Sequence, residues 1–280
     1  MSQLNILHMM QNSAPPQDFL FDGFLHGTVG SIVAAGGSGK SMLALQIAAQ
    51  LAAGTTIANP LGLTFPKQRR VLYLPGEDPE SVLWQRIHSV GKYYEQHEQQ
   101  EIARNLAVFS LLGHDPDILD ETWFNWLGDQ SLNFDLVILD TLRRWHSADE
   151  NDGGAMKQVI TRLEIIARVA KCSVLFLHHA NKMSGLAGKS DDQGASRGSS
   201  VLTDHVRWQG NLSKMTREEA DKYGILHELR GKYVRLTGAK VNYGKPIDDW
   251  WLERQDGGVL RHVVLEKQGG VSDDAKRAFK

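Results

Sequence analysis

The sequence predicts an α/β fold, in which a mostly parallel central sheet is flanked by helices and followed by a C-terminal antiparallel β-meander. Three observations predict it. A glycine-rich loop joins an apolar strand to a helix within residues 32–51, further apolar strands ending in polar residues alternate with helices up to residue 179, and strands with glycine turns follow. Strands that alternate with helices favour a parallel sheet.

The composition limits the class of protein. With 280 residues, of which 41% are hydrophobic, the chain can build a sizeable core as one domain. Its net charge of −2 argues against a surface coated in basic charge, although a basic channel needs only a few cations per subunit. The single cysteine, Cys172, excludes an internal disulfide framework. Without a targeting signal or an apolar run of about 18 residues, we expect a cytoplasmic protein without membrane contact.

The glycine-rich loop has the arrangement of a P-loop. Residues 32–34 predict a buried strand, and apolar residues at helical spacing from Leu43 to Leu51 predict a helix that ends at Gly54. The loop's backbone N–H groups and the helix N-terminus would bind phosphate. We expect nucleotide contacts from Gly36, Gly37, Ser38, Gly39, Lys40, Ser41 and Met42.

Within this loop, Lys40 would reach the β- and γ-phosphates, and the Ser41 hydroxyl would ligate Mg²⁺. The motif's first glycine position holds Ala34, and we expect its backbone to follow the usual path because Gly36 and Gly37 supply flexibility. The alternative is a glycine-rich turn into an ordinary helix.

Two acidic residues stand at the ends of later strands. The strand 70–74 runs into Glu77 and Asp78, and the run 135–140 ends in Asp140. The carboxyl ends of parallel strands are where an α/β sheet presents its chemistry. Asp140 would therefore hold Mg²⁺ through water or through the Ser41 hydroxyl. Glu77 could instead cap the following helix, and many buried strands end in aspartate without such a role.

The remaining elements follow from periodicity and turn residues. We predict helices at 81–91, 96–104, 120–127 and 155–170, and one starting near Thr216. We predict strands at 106–112, 172–177 and within 201–212, loops at 143–154 and 180–200, and a meander of 232–240, 249–254 and 259–265. An apolar helix near Leu4, Leu7 and Met10 either caps its own domain or docks on a neighbouring subunit. The predicted organisation is an N-terminal segment 1–25, one domain 26–266 and a disordered tail 267–280.

The order of these parts resembles that of the RecA-like ATPases. The features that carry the resemblance are GGSGKS, a strand ending in Gly76-Glu77, DLVILD, His178-His179, SRGSS, and Gly238-Ala239-Lys240. Within these ATPases the chain is similar to the ring-shaped hexameric replicative helicases, and most of all to the plasmid-encoded RepA helicases. The stretches that look like the latter are YLPGEDP, LDTLRRWH, LFLHHA, ASRGSSVL and KVNYG. The resemblance covers roughly residues 25–265.

The resemblance implies roles for single residues. Lys40 and Ser41 match the P-loop lysine and the Mg²⁺ hydroxyl, Glu77 matches the catalytic glutamate, and Asp140 matches the second Mg²⁺ residue. His179 resembles the polar sensor of the γ-phosphate, with a core or tautomer-fixed histidine as the alternative. For His178 we favour the core histidine.

The resemblance also implies that ATP lies between subunits and that the neighbour supplies a cation. Arg207 is our first choice and Lys240 the second, because Asn242 stands where related helicases often place an arginine. Arg207 could simply pair with an acid. DNA contacts would come from loops 143–154 and 180–200, with solvated loop charges as the alternative. The candidates are Arg143, Arg144, Lys182, Lys189 and Arg197.

The expected function is an ATP-driven or other NTP-driven helicase of plasmid replication, acting with Mg²⁺ on single-stranded DNA as a homo-hexamer. A plasmid replication initiator or a primase is a possible partner. One alternative is a RecA-type recombinase or clock-type ATPase that does not unwind a duplex. Another is a non-hydrolysing, nucleotide-dependent scaffold, for which Glu77 would be dispensable.

Overall fold

A computed structural model describes residues 3–54, 58–180, 200–245, 247 and 250–267. The strands are β1 Phe19–Phe21, β2 Phe24–Leu25, β3 Val29–Ala34, β4 Val71–Pro75, β5 Leu106–Val108, β6 Leu136–Asp140, β7 Ser173–His179, β8 Trp208–Lys214, β9 Tyr233–Val241, β10 Trp250–Arg254 and β11 Leu260–His262. The helices are α1 Ile6–Gln11, α2 Lys40–Ala53, α3 Glu80–Gly91, α4 Gln96–Asn105, α5 Glu121–Ser131, α6 Gly153–Ala170, α7 Ser200–His205 and α8 Arg217–Tyr223.

Nine of the described strands form one sheet in the order β11-β10-β9-β8-β3-β7-β6-β4-β5. The six strands from β8 to β5 in this order are parallel, and β9, β10 and β11 add to β8 as an antiparallel meander. The predicted fold class is therefore confirmed, including the C-terminal meander.

The register of the sheet brings the predicted strand ends to one edge. Ala34, the last residue of β3, lies beside His179 of β7, and Pro75 of β4 lies beside Asp140 of β6. The carboxyl ends of β3, β4, β6 and β7 are thus adjacent. This is the edge at which open α/β sheets bind ligands.

Apolar side chains cover both faces of the sheet. The core on one face includes α2, which is buried along almost its whole length, as expected for a helix that is apolar all round. The core on the other face includes α6. The side-chain amide of Gln46 in α2 bonds both the N–H and the carbonyl of Leu260, each at 2.8 Å, which fixes β11 beside α2.

The packed region begins before the predicted boundary at residue 26. Strands β1 and β2 pair with each other, and Leu20, Phe21 and Phe24 are fully buried. The Phe21 ring meets the buried indole of Trp208 edge to face at 5.1 Å between centroids. By contrast, the predicted helix near the N-terminus, α1, buries none of its residues.

Three predicted elements need correction. The strand expected at 106–112 is shorter and ends at Val108, although the N–H groups of Phe109 and Leu111 still donate to carbonyls of β4. The region 143–154, expected to be a loop, begins with a 3₁₀ turn at Leu142–Trp145. Trp145 in this turn is fully buried, since an apolar residue inside a polar stretch can still fill the core.

The third correction concerns residues 201–212. Helix α7 occupies the first part of this range, so the strand begins only at Trp208 and Arg207 lies just before it. Apolar and polar residues alternate irregularly over this range, so periodicity alone does not separate a helix from a strand here.

None of the helices in the described residues has the length and the apolar character needed to cross a membrane.

Candidate active site

The loop between β3 and α2 has the backbone of a phosphate-binding loop. Gly37 and Gly39 have positive φ angles of 67° and 98°, a region that residues with a side chain rarely adopt. The Ser38 hydroxyl donates to the carbonyl of Ala35 at 2.5 Å, which holds the loop in its turn. Helix α2 begins at Lys40, and its unpaired N–H groups and dipole favour an anion here.

Lys40 is in contact with the end of β7. Its Nζ lies 3.1 and 3.2 Å from the two ring nitrogens of His179, and Lys40 itself is only 7% exposed. Burial lowers the pKa of Lys40, while the charges of Asp140 and Glu77 oppose this shift. Burial and the neighbouring ammonium also lower the pKa of His179. A neutral imidazole can accept a hydrogen bond from the ammonium.

Asp140 is held by hydroxyls on both sides. The Ser41 hydroxyl donates to one carboxylate oxygen at 3.1 Å, and the Tyr73 phenol donates to the other at 2.7 Å. Burial raises the pKa of Asp140, and these hydrogen bonds and Lys40 oppose the shift. A hydroxyl and a carboxylate side by side are the oxygen ligands that Mg²⁺ prefers, so Ser41 and Asp140 fit this ion.

Glu77 is oriented by the residue that follows β6. The Thr141 hydroxyl donates to its carboxylate at 3.0 Å, and the backbone N–H of Gly76 donates to the carbonyl of Asp140 at 2.7 Å. These bonds fix the chain after β4 against the end of β6. Glu77 itself is exposed, so its second carboxylate oxygen is accessible from the cavity described next.

A cavity of about 340 Å³ unites these groups, within the size range of small-molecule sites. Its lining includes three of the predicted catalytic residues, together with residues of the loop, of α3 and of the meander: Gly37, Gly39, Lys40, Ser41, Met42, Glu77, Asp78, Arg86, His179, Arg254, Gly257 and Gly258. Asp140 and Arg207 are not part of this wall. Within this wall, Arg86 forms an ion pair with Asp78.

His178 points away from this cavity into the protein. It is 4% exposed, its Nδ1 has no hydrogen bond among the described residues, and burial lowers its pKa. His146 is also buried without a hydrogen bond to either ring nitrogen in that part of the chain, and Glu150 lies 3.9 Å from it.

Arg207 and Lys240 lie near the amino-terminal ends of the parallel strands, whereas the phosphate loop follows the carboxyl end of β3. Trp208, next to Arg207, pairs with Gly30 near the start of β3 and with Val241 of β9. Arg207 is exposed, and no described residue forms a hydrogen bond or an ion pair with its guanidinium. This geometry directs Arg207 away from its own phosphate loop.

The ammonium of Lys240 is already engaged. It donates to the carbonyls of Thr203 and Asp204 at 2.9 and 2.8 Å, at the end of α7. Partial burial lowers its pKa. A role for Lys240 at a neighbour's phosphate would require these two bonds to break.

The predicted DNA-binding arginines differ in exposure. Arg143 is exposed, and its guanidinium donates to the carbonyl of His146 at 3.0 Å. Arg144 is half-buried, and its Cβ and Cγ lie 3.1 Å from the position a β-carbon on Gly76 would take. Lys182, Lys189 and Arg197 lie outside the described residues.

Sequence reasoning missed several residues of the site, among them Tyr73, Thr141 and Arg254. The Tyr73 and Thr141 contacts depend on the register of β4 with β6, which no local pattern specifies. Arg254 Nη2 donates to the Ser38 carbonyl at 3.0 Å, across a separation of 216 residues. No signal in the sequence indicates that the end of β10 meets the phosphate loop.

A family profile described as an AAA domain matches residues 4–185, more than half of the chain. The chain belongs to this family. The match includes β3, α2 and the strand ends that carry Glu77, Asp140 and His179.

Solved structures with a similar fold include an ATPase domain with 16% identity and a TM-score of 0.56, where the match covers 87% of each chain. The RadB recombinase has 15% identity and a TM-score of 0.52, over 87% of this chain and 93% of that one. A DnaB-like replicative helicase, described with its interactions with primase, has 16% identity and a TM-score of 0.59, over 86% of this chain but 58% of that one. The fold of this AAA-domain protein is thus RecA-like.

Proposed function

We propose that this AAA-domain protein hydrolyses ATP or another nucleoside triphosphate with Mg²⁺ and uses the energy to unwind duplex DNA. The observation that carries the proposal is the shared cavity. It brings Lys40 and Ser41 of the loop together with Glu77 after β4 and His179 at the end of β7. These are the parts that phosphoryl transfer to water requires.

Each of these residues has a separate proposed role in hydrolysis. Lys40 and the N-terminus of α2 bind the phosphates. Ser41 and Asp140 would hold Mg²⁺, which would neutralise charge on the phosphates. Glu77, oriented by Thr141, positions a water molecule for in-line attack and takes up its proton. His179 senses the γ-phosphate, since a phosphate that draws Lys40 away removes a contact to this histidine.

Arg207 is proposed to act on the site of the neighbouring subunit. It is exposed and lies at the edge of the sheet opposite its own loop, so a head-to-tail ring would bring it to the next subunit's nucleotide. A cation supplied in this way stabilises transition-state charge. Lys240 is the second candidate, because its carbonyl contacts make it less available.

Two exposed apolar surfaces support assembly into a ring, for which we propose six subunits. Helix α1 exposes Leu7 and Met10 to 64% and 80%. An apolar groove of about 600 Å³ beside α3 is lined by Trp84, Ile87 and Phe109, all exposed. We propose that the N-terminal segment 1–25 takes part in subunit docking, although β1 and β2 within it belong to the packed domain.

We further propose that the ring binds single-stranded DNA through the regions 143–154 and 180–200 and serves plasmid replication. Arg143 and Arg144 come from the described part, and Lys182, Lys189 and Arg197 complete the proposed set. A replication initiator or a primase is the proposed partner. The solved DnaB-like helicase is described with primase, which motivates this choice by analogy alone.

The similar fold of the RadB recombinase makes a DNA-stimulated ATPase without unwinding the second candidate. A strand-displacement assay separates the two. Wild-type protein and Lys40→Ala are compared for ATP hydrolysis with and without single-stranded DNA, and then for displacement of one strand from a forked duplex. We expect DNA-stimulated hydrolysis and displacement by the wild type only. Hydrolysis without displacement would favour the DNA-stimulated ATPase without unwinding. Full turnover by Glu77→Gln would contradict the catalytic role proposed for Glu77.

A further inference from the structure

We propose that Arg254, at the end of β10, is a phosphate-binding residue of the nucleotide site, supplied by the C-terminal meander of the same chain. This inference deepens the proposed nucleotide-hydrolysing function and rests on it. It assigns to the meander a direct part in nucleotide binding, separate from the trans-acting cation proposed at the subunit interface.

The guanidinium of Arg254 lies against the phosphate loop. A β-carbon built on Gly39 would come within 3.2 and 3.3 Å of its two terminal nitrogens, and Gly39 immediately precedes the first residue of α2. The arginine also lines the cavity that contains Lys40 and Ser41. Its charge is therefore next to the helix N-terminus, where anions bind.

Arg254 keeps most of its donors available. A guanidinium has five N–H donors, and among the described residues the Ser38 carbonyl is the acceptor of Arg254, at 3.0 Å. No acidic side chain in that part of the chain forms an ion pair with it. The other arginine in the cavity wall, Arg86, is paired with Asp78. A half-buried guanidinium without a carboxylate partner is suited to a phosphate, which it binds through parallel hydrogen bonds.

The turn after β10 fixes the position of Arg254. A β-carbon on Gly257 would lie 2.2 Å from the Ser89 hydroxyl of α3, so the turn packs directly on that helix. The next residue, Gly258, lies near the Met42 side chain of α2, at 3.7 Å by the same measure. The turn is thus wedged between α2 and α3, and Arg254 is held in place before any ligand arrives.

Arg254 is expected to act in binding more than in the chemical step. Glu77 is oriented from the β6 side by Thr141, whereas Arg254 approaches the loop from the meander at Gly39. A cation that contacts the phosphates in substrate and product alike provides uniform binding, which lowers KM without raising kcat. Loss of Arg254 should therefore weaken ATP and ADP binding to a similar extent.

The test measures equilibrium binding of fluorescent ATP and ADP analogues to the full chain. We expect Arg254→Ala to raise both dissociation constants about ten-fold or more, because charge-assisted phosphate contacts are lost. Turnover at saturating ATP should stay within about three-fold of the wild type. Arg261→Ala is the matched control, since Arg261 is an exposed arginine on the adjacent strand β11 and lies outside the cavity wall.

Arg254→Gln separates phosphate binding from support of the loop. Glutamine can still donate to the Ser38 carbonyl but carries no charge. The proposal expects this variant to keep the thermal stability of the wild type while binding ATP as weakly as the alanine variant. Recovery of full affinity, or unchanged affinity in Arg254→Ala, would overturn it. If the wild type itself binds neither ATP nor ADP, the proposed hydrolytic function fails as well, which is a distinguishable result.

Discussion

The Ser41 hydroxyl donates a hydrogen bond to the Asp140 carboxylate across 3.1 Å, joining the first turn of α2 to the end of β6. The two residues are 99 positions apart in the sequence, and the parallel register of β3, β7, β6 and β4 brings them together. This contact assembles the two oxygen ligands proposed for Mg²⁺ before the ion binds.

Tyr73 is expected to position Asp140 for Mg²⁺. Tyr73→Phe removes the 2.7 Å bond to the carboxylate, so the Mg²⁺ concentration for half-maximal ATP hydrolysis should rise about ten-fold, as for other residues that orient a metal ligand. The control is Tyr94→Phe, a second buried phenol, which donates to Gln50 on another part of α2. An equal rise in the control would show a general effect of losing a buried hydroxyl.

Glu77 is expected to be needed for the chemical step but not for binding. Glu77→Gln keeps the shape of the side chain and removes its basicity, so turnover should fall about 10²–10⁴-fold. The dissociation constant of ATP should change little. Glu80→Gln, an exposed acid at the start of α3, is the control and should hydrolyse ATP normally. Turnover of Glu77→Gln near that of the wild type would contradict the assignment.

Strands β1 and β2 are expected to be part of the folded domain. Phe24 is fully buried and packs near Trp208, so Phe24→Ala should lower the free energy of unfolding by about 3–5 kcal/mol. Met10→Ala in the exposed helix α1 should change it by no more than about 0.5 kcal/mol. Chemical denaturation measures both. Equal effects would show that the hairpin is not part of the core.

The buried histidines predict how stability depends on pH. Burial lowers the pKa of His178 and of His146 below the ordinary value of 6.5, so below that value the unfolded state binds more protons than the folded state. The free energy of unfolding should therefore have its full value above about pH 7. It should decrease as the pH falls through 6.5 towards 5.

Denaturation curves at several pH values check this dependence. His178→Asn should reduce the loss of stability between pH 7 and pH 5, because one of the titrating groups is gone. His97→Gln is the control, since that side chain is 71% exposed on α4. The same loss of stability in the wild type and in His178→Asn would contradict the explanation.

Much of the site was predictable because its residues occupy strand ends and a glycine loop. Lys40, Ser41, Glu77, Asp140 and His179 each follow or end a run of apolar residues, and parallel strands place such positions on one edge. Their roles as catalytic residues stay predictions. The alternation of elements also predicted the sheet and the meander, which the structure confirms.

The rest depended on contacts between distant segments. Tyr73 looks like a core residue until the register with β6 places its hydroxyl at Asp140. From the sequence, Arg254 is expected to be a surface arginine before a turn. Only the packing of β10 and β11 against α2 brings it to Gly39. Strands β1 and β2 are too short for a period-two pattern, so the sequence does not separate them from the N-terminal segment.

A hydrolytic site shared by neighbouring subunits can be detected by mixing two inactive variants. Lys40→Ala lacks the loop lysine and Arg207→Ala lacks the proposed trans-acting cation. In mixed rings at equal amounts, about a quarter of the interfaces would combine an intact loop with an intact Arg207. We expect ATP hydrolysis to recover to about that fraction of wild type.

A mixture of Lys40→Ala with Glu77→Gln is the control, because each subunit then lacks one residue of its own half-site and no interface is intact. Co-purification of an untagged variant with an affinity-tagged one establishes that the rings are mixed. We expect recovery in the first mixture and none in the control. Mixed rings of Lys40→Ala and Arg207→Ala that hydrolyse ATP no faster than either variant alone would contradict it.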